Sequence, residues 1–263
     1  MVKKLLKYDL KYIYKALIVL YALSIIFSFL TRILWMCEGS AILHFMGYIS
    51  NIIMISCLFS VVINNLMRVW TRFVTNIYKD ESYLTHTLPV SKKAIYASKF
   101  ISALISMASS ILVIIIAVAI AYYSKENLTL LKEALEGLAT AYDSTVIVIF
   151  LVIFAIFFLE MMAIVLAGFT GILISHRSNE AKMVKSIVIG FLFFMGISLV
   201  LLGGIFVAGF FAKDIMYVFL TNTVPNIQVI KTLLTLALTF YTLVIIFYYF
   251  LDIHVFQKGV NVD

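Results

Sequence analysis

Six long apolar runs, separated by short polar and charged segments, set the pattern of this chain: Ala16 to Leu34, Ile42 to Ile63, Phe100 to Tyr122, Thr145 to Ile174, Ile187 to Phe211 and Thr232 to Leu251. A hydrocarbon layer about 30 Å thick is crossed by about 20 helical residues, so each run predicts one transmembrane helix. The runs are much longer than the alternating segments of about ten residues that build a membrane barrel. Their backbone groups are therefore expected to be satisfied within helices. The expected fold class is all-α, a single transmembrane domain over residues 1–263.

Smaller periodic segments fill the gaps. Residues 1 to 15 place Val2, Leu6, Leu10 and Ile13 on one helical face and Lys4, Lys7, Lys11 and Lys15 around the other. That is the pattern of a helix lying in the headgroup layer, with a basic flank that only sets topology as the alternative. The first run follows five lysines as in a signal peptide, but no small-residue cleavage site follows it. It is read as a retained anchor. Leu128, Leu131, Leu135 and Leu138 mark one face of a segment carrying Lys132, Glu133 and Glu136 on the other, which predicts a second interfacial helix. Ile215 to Leu220 is too short to cross, and Pro225 then breaks the chain, so a re-entrant or surface-lying turn is expected there.

Composition agrees with this pattern. With 64% hydrophobic and 13% charged residues and a mean hydropathy of +1.11, the chain lacks the polar surface to cover a water-soluble globule. Charge then sets orientation. Of the 20 lysines and arginines, all but Arg32, Lys125, Lys132, Lys213 and Lys231 fall on one side when the N-terminus is placed inside. The expectation is a multi-pass plasma-membrane protein with both termini cytoplasmic. This bias and attraction to anionic lipid account for the net charge of +7 and remove the argument for a nucleic-acid partner.

The longest cytoplasmic segment runs from residue 64 to 99. Leu66, Val69, Trp70, Phe73 and Ile77 recur at helical spacing and are expected to carry the second span onward beyond the membrane. Asp80 to Lys93 then joins an acidic pair, an aromatic-aliphatic face and a Leu-Pro step to basic residues leading into the third span. Pro89 disfavours helix at Leu88, so a short helix over about 80–87 should end there. Such a compact patterned element suits docking of a soluble partner.

Candidate chemistry inside the spans is sparse. Glu160 sits midway along the fourth span, where a carboxylate must be neutral, paired or facing a polar cavity. Ala163, Ala167 and Gly171 share its face, which points it into a close helix contact. Two accounts stay open: a hydrogen bond to a neighbouring helix, or a role along a translocation path. Ser102, Ser106, Ser110, Ala117 and Ala121 line one face of the third span and suit tight packing or a polar pathway. The fifth span carries Gly190, Gly196, Gly203, Gly204 and Gly209, which would let it bend. Cys37 and Cys57 lie at different depths, about 22 Å apart along the helical rise, too far for a disulfide. With four scattered histidines they form no metal spacing. The chain has no H-E-x-x-H and no G-K-S/T phosphate loop, so neither metal nor cofactor is expected in it, nor a catalytic site of its own.

Tyr78-Lys79-Asp80-Glu81-Ser82-Tyr83-Leu84, then Thr87-Leu88-Pro89-Val90-Ser91 and Lys99 at the mouth of the third span, resembles the loop after the second span in type 2 ABC exporter permeases. Many bacterial members carry glycine after the glutamate, where this chain has Ser82. The resemblance implies that the loop is a coupling helix seated in a groove of a separate ABC ATP-binding subunit, which binds ATP and Mg. Glu81, Tyr83, Leu84, Thr87, Leu88 and Pro89 become the contact candidates, with Arg177 and Asn179 of the next short inner loop as a second contact. It further implies a second permease chain, identical or a sister, and a cargo. Spans with scarcely any fixed charge suit an apolar or amphipathic cargo, and the relatives' roles favour an antimicrobial peptide. The alternatives are a non-transporting scaffold or sensor that holds a cytosolic regulator by the same loop, and a proton-coupled carrier using Glu160.

Overall fold

A computed structural model of the chain describes residues 2–37, 40–87, 89–178, 180–221 and 226–259. Among these there are nine helices and no strand: α1 (Val2–Met36), α2 (Ala41–Ile77), α3 (Ser82–Thr87), α4 (Lys92–Tyr122), α5 (Lys125–Ala141), α6 (Val146–Ser175), α7 (Lys182–Phe211), α8 (Lys213–Thr221) and α9 (Ile227–Gln257). Six of them, α1, α2, α4, α6, α7 and α9, are long and apolar enough to cross a membrane. Their exposed surfaces carry Ile, Leu, Phe and Val in quantity, such as Phe45, Phe59, Phe191, Leu199 and Phe250. A water-soluble protein does not display apolar surface on this scale, whereas lipid tails satisfy it. The chain is a membrane protein with six candidate transmembrane helices.

The polypeptide divides within the first turns of α5 into two compact units, one ending at Leu128 and the other spanning Thr129–Gly259. In the first, α1 packs along both α2 and α4, α2 touches α4, and α3 rests on α2. Met54, Leu58, Ala117 and Ala121 form a core there, with Phe27, Ile114 and Tyr122 against it. In the second unit α6 is central and packs on α7 and α9. A smaller core of Leu135, Ala139 and Ile149 fastens α5 to the start of α6.

Local rules explain where the elements start and stop. No glycine or proline interrupts residues 2–36, so the basic N-terminal segment is observed as the first turns of a single 35-residue α1 and not as a separate element. Ser40 caps α2 by accepting the Leu43 amide, and Ser91 caps α4 by accepting the Ala94 amide. The 37 residues of α2 extend about 55 Å at helical rise, beyond the thickness of a hydrocarbon layer. Val69, Phe73 and Ile77 are buried on that extension, as their spacing predicts. Ile215 to Leu220 lies in the nine-residue α8. Pro225 lies outside the described residues.

The serine and alanine face of α4 is a packing face. Ser102, Ser106, Ser110, Ala117 and Ala121 are all buried. At its centre Tyr21 bonds Ser109 and Ser110, Tyr14 bonds Ser109, and the Asn65 amide donates to Ser110. The glycines of α7 separate into two kinds. Gly190 meets the α6 backbone around Ala167 and Gly168 and Gly209 packs against Met216 of α8, whereas Gly196, Gly203 and Gly204 face open space, and α7 stays one helix through them all.

Candidate docking segment and its charged anchor

The end of α2 dictates how the following turn is built. Tyr78 closes α2 with its amide on the Val74 carbonyl, and its ring is buried. The chain then turns through Lys79–Glu81, with the Glu81 amide on the Thr75 carbonyl and the Ser82 amide on the Lys79 carbonyl. The six residues of α3 follow. Ser82 and Thr85 point inward at one helical spacing, and the Thr85 hydroxyl donates to the Glu81 carbonyl. His86 Nε2 meets the Ile77 carbonyl at 3.1 Å, which ties the far end of α3 back onto α2.

The opposite face of α3 has no such partner side. Tyr83 is 77% and Leu84 66% exposed, and Thr87 and Pro89 are exposed beside them. Thr87 is the last described helical residue of α3, two positions before Pro89. Leu88 itself lies outside the described residues. Part of the Leu-Pro-x-Ser pattern has a local explanation: the proline stops one helix and Ser91 caps the next.

Beneath this exposed face lies a charged cluster. Arg72 Nη1 donates to both oxygens of Glu81 at 2.7 Å, and Asn76 adds a bond of 2.9 Å to the same carboxylate. On its other edge Arg72 donates through Nε to Asp9 Oδ1 at 2.8 Å, and its guanidinium lies 5.2 Å from the centre of the Tyr12 ring. Asp9 also accepts from Lys99 Nζ at 2.6 Å and from the Ser98 hydroxyl at 3.3 Å. Four elements thus meet: α1 through Asp9 and Tyr12, α2 through Arg72 and Asn76, α4 through Lys99 and Ser98, and the turn before α3 through Glu81.

Burial makes this cluster demanding. The side chains of Asp9, Arg72 and Lys99 are only 2%, 9% and 4% exposed, whereas that of Glu81 is 44% exposed. Taking isolated charges out of water costs several kcal/mol per ion, offset only where every charge has a well-placed opposite. Two carboxylates against two cations meet that condition. For Glu81, partial burial by itself would raise the carboxyl pKa. The hydrogen bonds from Arg72 and Asn76 and the positive charges of Arg72 and Lys99 outweigh it, and hold the group below the usual carboxylate range.

The expected contact residues therefore differ in what they do. Tyr83, Leu84, Thr87 and Pro89 share an open surface. Glu81 turns its carboxylate inward. Arg177 lies in the second unit, exposed, and donates through Nη2 to the Val255 carbonyl at 2.8 Å, which ties the loop after α6 to the end of α9. Asn179 lies outside the described residues. Glu160 is half-buried on α6, with Tyr241 of α9 near it.

Two acids escape a reading based on spans alone. Asp9 is buried at the centre of the cluster although it lies in a lysine-rich segment. Its spacing carried a signal, because Asp9, Ile13 and Leu17 fall four residues apart and all three are buried. Asp252, one residue past the expected end of the sixth span, is fully buried and accepts from Thr170 at 2.6 Å. Both cysteines are free thiols. Among the described residues, no group of three or more His, Cys, Asp or Glu side chains is arranged to hold a metal ion. No protein family, curated protein or solved structure matches the chain.

Proposed function

We propose that this chain is the transmembrane permease subunit of an ATP-driven exporter, and that α3 is where it docks a separate ABC ATP-binding subunit. One observation carries the reading: a helix of six residues presents Tyr83 and Leu84 to solvent while Glu81, at its root, is held by Arg72 and Asn76. A short element with an aromatic-aliphatic outer face and a charged inner root suits a docking knob. Exposed aromatic anchors are the residue types that dominate protein interfaces. The resemblance of Tyr78 to Ser91 to exporter permeases points to the same partner.

On this reading the partner binds ATP and Mg, and its closure pushes on α3 and shifts the balance between two arrangements of the permease. Two permease chains, identical or paired with a sister chain, enclose the path. The protein sits in the plasma membrane with α3 and both termini in the cytoplasm, as the lysine and arginine bias requires. Spans dominated by Leu, Ile, Phe and Val favour an apolar or amphipathic cargo, with an antimicrobial peptide as the first candidate.

The test is purification of the full chain in mild detergent, followed by reconstitution and assay of ATP hydrolysis and peptide efflux. An ATP-hydrolysing subunit should co-purify, and Tyr83→Ala with Leu84→Ala should release it without unfolding the permease. A partner retained with no ATP-dependent flux would instead support a scaffold or sensor. Flux that persists without any ATPase and disappears in Glu160→Gln would support a proton-coupled carrier.

A further inference from the structure

We infer that Asp9, Arg72 and Glu81 form a rigid strut in which Asp9, two contacts away from α3, is the residue that positions it. The inference rests on the reading of α3 as a docking segment and adds what makes such a segment stiff. A helix of six residues cannot hold its own direction, because it has barely more than one turn of internal hydrogen bonds. Its described anchors, Glu81 to Arg72 and Asn76 and His86 to the Ile77 carbonyl, all end on the last turns of α2. Among these anchors Arg72 is the one through which α1 and α4 act on α3, so their hold on α3 depends on how firmly Arg72 is oriented.

Arg72 is constrained on three sides. A guanidinium is a planar fork whose donors have fixed relative directions. Here Nε is committed to Asp9, Nη1 to Glu81, and one face to Tyr12. With the Nε edge occupied, rotation about the end of the side chain would break the Asp9 bond, so Nη1 can point only toward Glu81. Asp9 in turn is fixed from α4 by Lys99 and Ser98. Displacement of α3 is thereby delivered to α1, α2 and α4 through one chain of charged hydrogen bonds. Lysine in place of Arg72 would keep the charge but could not serve both acids in these directions.

A nitroxide spin label reads this directly in the full chain, reconstituted into phosphatidylethanolamine–phosphatidylglycerol vesicles with Cys37 and Cys57 replaced by serine. One label sits at Thr87→Cys on α3. A control label sits at Glu126→Cys, exposed near the start of α5. Glu81→Gln should cause loss of the immobilised spectral component at position 87. Asp9→Asn and Arg72→Lys should cause the same loss, although the described hydrogen bonds of Asp9 go to α2 and α4, and the label at 126 should keep its spectrum in all three.

The inference is overturned if Glu81→Gln frees the α3 label while Asp9→Asn and Arg72→Lys leave it immobile, since Asp9 would then only balance charge. It is also overturned if Arg72→Lys behaves as wild type, or if the label at 126 loosens in parallel. Should Asp9→Asn fail to insert, Arg72→Lys, with its charge balance intact, decides the matter. The measurement needs no partner, so its failure leaves the co-purification result standing, and a missing ATPase leaves the spectra interpretable.

Discussion

Glu81 and Asp9 are both carboxylates on the same arginine, but their surroundings give them different sensitivities. Glu81 is nearly half exposed, so water screens its bridge and its loss should cost about 1 kcal/mol or less. Its folded pKa lies below the ordinary glutamate value of about 4.3, so its contribution is complete above that pH and fades as pH falls through the lower folded value. The stability difference between wild type and Glu81→Gln, followed by thermal unfolding in detergent, should therefore be constant near neutrality and vanish in acid. Asp9 is buried against two cations. Asp9→Ala should leave Arg72 and Lys99 sharing only Glu81, a loss of about 3–5 kcal/mol measurable in the same assay.

The helices depend on a few close approaches more than on their own composition. Where α6 and α7 cross, a Cβ added at Gly171 would stand 2.5 Å from the Ser186 carbonyl oxygen and 2.6 Å from the Gly190 nitrogen, both backbone atoms of the facing helix. Gly171→Ala must push the two helices apart, and a destabilisation of about 1–3 kcal/mol is expected. Gly203→Ala meets nothing within 4 Å and should be neutral or slightly stabilising, because alanine favours helix. Thermal midpoints of the two variants should move in these different directions. For α3 the outer and inner faces separate in the same way. Tyr83→Ala and Leu84→Ala remove exposed side chains and should leave the midpoint within about 0.5 kcal/mol of wild type, while the proposed docking role predicts that they abolish co-purification of an ATPase.

For the whole molecule, the proposed orientation puts the α3 surface and the start of α5 on opposite sides of the membrane, one span apart. A membrane-impermeant thiol reagent added to intact cells should label Glu126→Cys and spare Thr87→Cys until the cells are opened. Labelling of both from the outside would overturn the topology. Glu160 belongs to this scale as well, because the proposed exporter and a proton-coupled carrier differ in what they expect of it. It lies near Tyr241 of α9, and both accounts of this acid stay open. Under ATP-driven export, Glu160→Gln keeps a hydrogen-bonding amide there and should retain most of the flux.

What the amino-acid order determined unaided is whatever local physics can express. An apolar run long enough for a bilayer and a proline just beyond a short polar helix each act within a few residues, and so all six long helices were legible, whereas α3 begins at Ser82, two residues later than the expected 80. The pairing of Asp9 with Arg72 and Lys99 is not legible in the sequence, because they lie 63 and 90 residues along the chain and nothing near Asp9 announces them. Its burial is a property of three helices packed together. The division of the α7 glycines into one that touches α6, one that touches α8 and three that touch nothing was likewise settled only by packing, because a glycine in a helix looks alike in sequence whether a neighbour approaches it or open space does.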